Sequence, residues 1–77
     1  MNNKEEFDVP VRTYTKAELA KLYAPGLTKK AAGKRLSNWL KYCKPLWDEL
    51  LRTGYSPLQR ILKPLQVKLI FKYLGEP

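Results

Sequence analysis

Helix-breaking residues cut this chain into short pieces, and that punctuation limits what it can fold into more than any other feature. Pro25-Gly26, Pro45, Gly54, Pro64 and Gly75 recur at short intervals. Proline has no N–H for the helical ladder and clashes with the preceding turn, and glycine admits the reversed backbone that closes a helix. What lies between the breaks is long enough for a few helical turns each, which predicts short helices joined by tight connections.

Each piece carries its own helix signals. Thr15, with Glu18 three residues later, has the spacing of a capping box, in which hydroxyl and carboxylate each satisfy a backbone N–H. A helix is expected from Lys16 to about Tyr23, with Leu19, Leu22 and Tyr23 on one face. Thr28 is the next N-cap, and Lys29 to Cys43 reads as the longest helix. Its apolar stripe is Ala32, Leu36, Trp39, Leu40 and Cys43. The opposite face holds Lys30, Lys34, Ser37, Asn38 and Lys41, with Arg35 and Tyr42 on a flank. Gly33 weakens this helix by about 1 kcal/mol relative to alanine without disqualifying it.

Pro45 suits the first turn of a third helix, where a missing N–H costs nothing. There Leu46, Trp47, Leu50 and Leu51 form two adjacent apolar ridges, Asp48 and Glu49 lie near the positive end, Arg52 lies near the other, and Gly54 caps it. Pro64 opens a last helix with Val67, Ile70, Phe71 and Leu74 on one side and Leu65, Leu69 and Tyr73 on the other, closed by Gly75. The fold class expected is all-α: a compact bundle of about four short helices with a helix-turn-helix-like core, and a minimal strand pair between residues near Val11 and Ile61.

At 77 residues the chain is one domain, and a domain of this size buries only about 60% of the surface its unfolded chain exposes. Apolar residues make up 44% of it, enough for one core, in which Trp39 and Trp47 are expected. Residues 1–10 read as a flexible acidic arm ahead of a helical domain over residues 11–77. Cys43 is the only cysteine, so it forms no internal disulfide and is expected to be a small core residue. The N-terminus lacks the apolar stretch of a signal peptide, and no apolar run approaches the roughly 18 residues of a membrane span. A reducing cytoplasm is the expected location.

Charge is distributed more tellingly than its total of +8. Residues 1–11 carry net −2, residues 12–44 carry nine basic side chains against Glu18 alone, and residues 45–77 carry net +2. Solvent-facing helices commonly carry lysines, so a basic face is also compatible with a merely solvated surface. So one-sided a stretch, however, also concentrates polyanions around it.

The parts of an enzyme are missing. Without histidine there is no Ser–His or Cys–His pair and no histidine metal site, the acidic residues are scattered, and no glycine-rich phosphate loop occurs. No catalytic residue, metal, cofactor or small-molecule substrate is expected. A capped short helix, a glycine-containing turn and a second helix with a basic outer face resemble a helix-turn-helix. That reading assigns Arg12, Lys16, Lys30, Lys34, Arg35, Asn38 and Lys41 to duplex DNA: Lys30, Lys34 and Lys41 to phosphates or guanine edges, Asn38 to adenine, and Arg12 and Lys16 to the backbone as clamps from the preceding turn. The competing reading is an adaptor or small oligomerising subunit, a homodimer for instance, using Leu65, Leu69 and Tyr73 and touching no nucleic acid.

Several runs also carry a family resemblance: Tyr14-Thr15-Lys16-Ala17-Glu18-Leu19-Ala20, Tyr23-Ala24-Pro25, Trp39 to Leu46, Gly54-Tyr55, Pro64-Leu65-Gln66-Val67 and, most specific, Tyr73-Leu74-Gly75-Glu76-Pro77. Together they resemble the domain-of-unknown-function family numbered 4248, short bacterial proteins of the Bacteroides type. The likeness runs from about Val11 onward and brings no activity or site residue with it. It implies a threonine before the proline of the last helix where this chain has Lys63, which leaves that helix without a hydroxyl N-cap.

Overall fold

The structure is a computed structural model and describes residues 7–77. Its order is β1 (Tyr14–Thr15), α1 (Lys16–Tyr23), α2 (Lys29–Tyr42), α3 (Lys44–Arg52), β2 (Ile61–Leu62) and α4 (Pro64–Leu74). The fold is mostly α, as the breaker spacing predicts. The strands pair antiparallel, Tyr14 with Leu62 and Thr15 with Ile61. The pairing therefore starts at Tyr14 rather than at Val11, and Val11 itself is exposed.

Thr15 both ends β1 and starts α1. Its hydroxyl accepts from the Glu18 N–H at 3.0 Å while its own N–H donates to Glu18 Oε1 at 2.9 Å, closing the expected capping box. The Glu18 carboxyl is held below its ordinary value, first by that Thr15 N–H. Thr28 caps α2 through the Ala31 N–H at 3.1 Å. Lys63, an ammonium with nothing to accept through, cannot cap α4. Gln66 supplies half of the reciprocal arrangement instead, its Oε1 accepting from the Lys63 N–H at 3.0 Å.

All four helices feed one core: Leu19 and Ala20 from α1, Ala32, Leu36 and Leu40 from α2, Leu46 and Leu50 from α3, and Val67, Ile70 and Phe71 from α4, with Tyr14, Tyr55 and Leu62 from the strands and loops. Each helix buries a narrower stripe than its sequence offers. Leu22 on α1 and Leu51 on α3 stay exposed, and Ala20 takes the place expected of Leu22. In a domain this small each helix has one neighbour-covered side, so the second ridge of α3 has nothing to pack against.

Trp39 departs from the expected core position. It is 38% exposed at the edge of α2, its ring edge-on to Tyr23 with centroids 5.8 Å apart. Trp47 is half-buried against Tyr55. Cys43 is half-buried rather than fully buried because α2 ends at Tyr42, one residue early, and Cys43 becomes the joint, capping α2 at its C-terminus and α3 at its N-terminus. On α4, Leu74 is half-buried; of the opposite stripe, Leu65 is 57% exposed, Leu69 is half-buried, and the half-buried Tyr73 donates its hydroxyl to Glu49 of α3.

Of the arm expected over residues 1–10, residues 1–6 lie outside the described residues. Phe7 packs edge-on against Phe71 with centroids 5.5 Å apart, and the Val9 N–H donates to Glu76 Oε1 at 2.8 Å. Among the described residues no helix is long and apolar enough to cross a membrane.

Candidate nucleic-acid interface

The β1–β2 pair positions the site. The Lys16 N–H donates to the Arg60 carbonyl at 2.7 Å, which draws residues 56–60 alongside the first turn of α1 and the outer face of α2. Between these three elements lies a hollow of about 650 Å³ lined by Thr15, Lys16, Ala17, Lys29, Lys30, Gly33, Lys34, Ser37 and residues 57–60. A second hollow, of about 310 Å³, adjoins it through Lys16, Ser37 and Pro57 and continues to Asn38, Lys41, Trp47 and Tyr55. Together they form one trough beside α2 from Lys29 to Lys41, about 18 Å at the helical rise.

Six basic side chains line this trough, Lys16, Lys29, Lys30, Lys34, Lys41 and Arg60, and no carboxylate does. None of the six forms an ion pair among the described residues, where Lys44 and Asp48 are joined at 2.9 Å on a different surface. The first turn of α2 contains no acidic residue, so Lys29 and Lys30 sit at the positive end of the helix dipole. That is a like-charge placement, which an anion in the trough relieves.

The wall of the trough opposite α2 is tied together by hydrogen bonds. Ser56 accepts from Leu58 N at 3.2 Å through its hydroxyl and from Gln59 N at 3.0 Å through its carbonyl, and its own N–H donates to Gln59 Oε1 at 3.0 Å. Gln59 Nε2 donates to the Ile61 carbonyl and to Gln66 Oε1, at 2.7 and 2.8 Å. Gln66, only 1% exposed, completes the set by donating to Thr53 Oγ1 at 2.9 Å. Lys16 ties this wall to α1 by donating its Nζ to the Pro57 carbonyl at 3.1 Å, with the ammonium 5.2 Å from the centre of the Tyr55 ring.

Of the residues assigned from sequence, Lys16, Lys30, Lys34, Asn38 and Lys41 line the trough. Arg12 does not: its guanidinium lies over the Tyr14 ring, 3.9 Å from the centroid, and donates to the Thr13 carbonyl. Arg35 projects from the far flank of α2, where Trp39 and the 78%-exposed Tyr42 also lie. Lys29, Arg60 and Leu58 were absent from the sequence assignment. The expected pairing around Ile61 was the available signal for Arg60, since it carries the neighbouring residue to the start of the first helix.

The terminal run that carries the family resemblance also has a structural role. Gly75 turns the chain at φ +86° and its carbonyl accepts the Tyr23 hydroxyl, while Glu76 accepts from Val9, so the C-terminus fastens α1 and the N-terminal segment to α4. The family model of DUF4248, a domain of unknown function, matches residues 10–77. The chain belongs to that family. No curated protein and no solved structure matches this DUF4248 chain.

Proposed function

We propose that this DUF4248 domain is a small, non-catalytic, cytoplasmic DNA-binding accessory protein, with α1 and α2 acting as a helix-turn-helix and α2 as the helix presented to the major groove of a duplex. The observation that carries the reading is the trough: six cations from three separate parts of the chain meet around it with no carboxylate among them. Lys29, Lys30 and Lys34 belong to the N-terminal half of α2, the part that meets base edges in such motifs. Asn38 and Lys41 extend the same wall.

Fluorescence anisotropy on a labelled duplex tests it. With Lys16 tied to Pro57 and Lys41 at the far end, four cations (Lys29, Lys30, Lys34 and Arg60) remain at the main hollow. Four neutralised phosphates give a log–log salt slope of about −3 to −4. Replacing Lys30, Lys34 and Lys41 by glutamate is expected to abolish most binding, while the charge-matched set Arg52, Lys63 and Lys72 to glutamate retains more. Equal losses in the two sets would show that net charge, not the trough, governs binding.

The adaptor reading keeps one supporting observation, the exposure of Leu51 at 46% and Leu65 at 57%, both outside the trough. Wild type that ignores duplex DNA even at low salt would refute the DNA reading and leave the adaptor in its place.

A further inference from the structure

The two walls of the trough differ in chemistry. One is α2, with lysines along it; the other ends in Pro57 and Leu58, whose side chain is 89% exposed, the highest value among the exposed large hydrophobic residues described. A single exposed leucine usually needs no explanation. This one stands on a turn held by hydrogen bonds from the N–H groups of Ser56, Leu58 and Gln59 and by the Lys16 ammonium on the Pro57 carbonyl. The backbone that presents this side chain is already held, so it loses little further freedom on meeting a ligand. Its cationic neighbours, Lys16 and Arg60, favour an anionic one.

In a duplex, one sugar–phosphate strand separates each stretch of major groove from the adjacent minor groove. With α2 in the major groove and that strand seated among the trough's cations, the far wall stands over the minor groove. Resting on the DNA reading above, the geometry points to Leu58 as an apolar wedge that enters the minor groove at a base step, with Arg60 beside it on the phosphate strand. Leucine is among the side chains that minor-groove proteins insert between base pairs, partly unstacking them and kinking the duplex by about 20–90°. Leu58 neutralises no phosphate, so its contribution separates from that of the trough by its salt dependence.

The experiment uses Leu58→Ser and Leu58→Met in the full chain, with circular dichroism to confirm that both fold. Affinity is read by anisotropy across a salt series on a duplex and on a single strand of the same sequence, and bending by energy transfer between dyes at the duplex ends. The expected result for Leu58→Ser is at least about a tenfold loss on the duplex, the loss that follows from withdrawing a leucine side chain from apolar contact, with the bend lost and the salt slope unchanged. Leu58→Met keeps most of both. Wild-type-like binding and bending by Leu58→Ser overturns the wedge and leaves the trough reading intact. An equal loss on the single strand, or a salt slope that falls with the affinity, also overturns it. Failure of the wild type to bind duplex DNA overturns the wedge together with the reading it rests on.

Discussion

Replacing Gln66 by methionine keeps the length and packing of the side chain and removes its amide, which joins the turn at residues 56–60, the start of α4 and the end of α3. Three hydrogen bonds disappear: those accepted from Lys63 N and Gln59 Nε2, and the one donated to Thr53 Oγ1. Two of the partners keep other bonds, Gln59 to the Ile61 carbonyl and the Thr53 hydroxyl to that of Leu50. The Lys63 N–H loses its acceptor. At about 1 kcal/mol net for each bond, partly offset by burying an apolar side chain in place of an amide, the expected cost is about 2–3 kcal/mol. For a domain of this size that lowers Tm by about 8–24 °C, read by circular dichroism. Amide exchange at Ser56, Leu58 and Gln59 should accelerate, because the turn is fastened to the core through Gln59 and Gln66. Pairing this change with Gln59→Met forms a double-mutant cycle, expected to show non-additivity of at least about 0.5 kcal/mol. A drop in Tm below about 3 °C, or additive single changes, would refute the claim that one buried amide fastens the trough's outer wall.

Two further predictions come from the same geometry. A β-carbon at Gly33 would meet nothing within 4 Å, so Gly33→Ala should stabilise α2 by about 0.5–1 kcal/mol; because Gly33 lines the trough, the same change should weaken DNA binding, and a more stable variant with undiminished affinity would show that the ligand does not approach α2 there. Tyr23 is pushed upward by burial and then by the Glu76 carboxylate, and Tyr73 by its hydrogen bond to Glu49 and then by desolvation. Since both folded values lie above the unfolded value of about 10, their stabilisation is fully present below that pH and is lost as pH rises through the folded values. Replacing Tyr23 or Tyr73 by phenylalanine should therefore remove tyrosinate absorbance that appears above a pH of about 10, and replacements that remove only absorbance appearing below that pH would contradict it.

The helices were legible in the sequence because their causes are local. Thr15, Glu18, Thr28, Pro45, Pro64 and Gly75 act on the backbone within a turn of where they stand, and the helices begin and end within about a residue of those signals. Which apolar residues are buried depends on what lies opposite. Trp39 and Leu40 are adjacent on the same expected stripe, yet Leu40 is buried and Trp39 is 38% exposed. Four short helices cover only a narrow strip of one another, and the wide indole falls at the edge of the covered strip, where Tyr23 is its neighbour.

The trough shows the same limit for function. Periodicity placed Lys30, Lys34 and Lys41 together on α2, because positions three, four and seven apart share a face whatever the rest of the chain does. No helical period brings Arg60 to Lys16. That neighbourhood is made by two-residue strands whose register, Thr15 opposite Ile61, sets the Arg60 carbonyl against the Lys16 N–H. The register is fixed in turn by burial: Tyr14 and Leu62 point inward as partners while Thr15 and Ile61 point out, and a slip of one residue would set Tyr14 opposite Ile61 or Thr15 opposite Leu62, pairing an inward residue with an outward one. The cationic wall beyond α2 is therefore a consequence of core packing. Arg12 shows the converse: it is close in sequence to Lys16 but is held over the Tyr14 ring, and sequence proximity alone does not bring it into the trough.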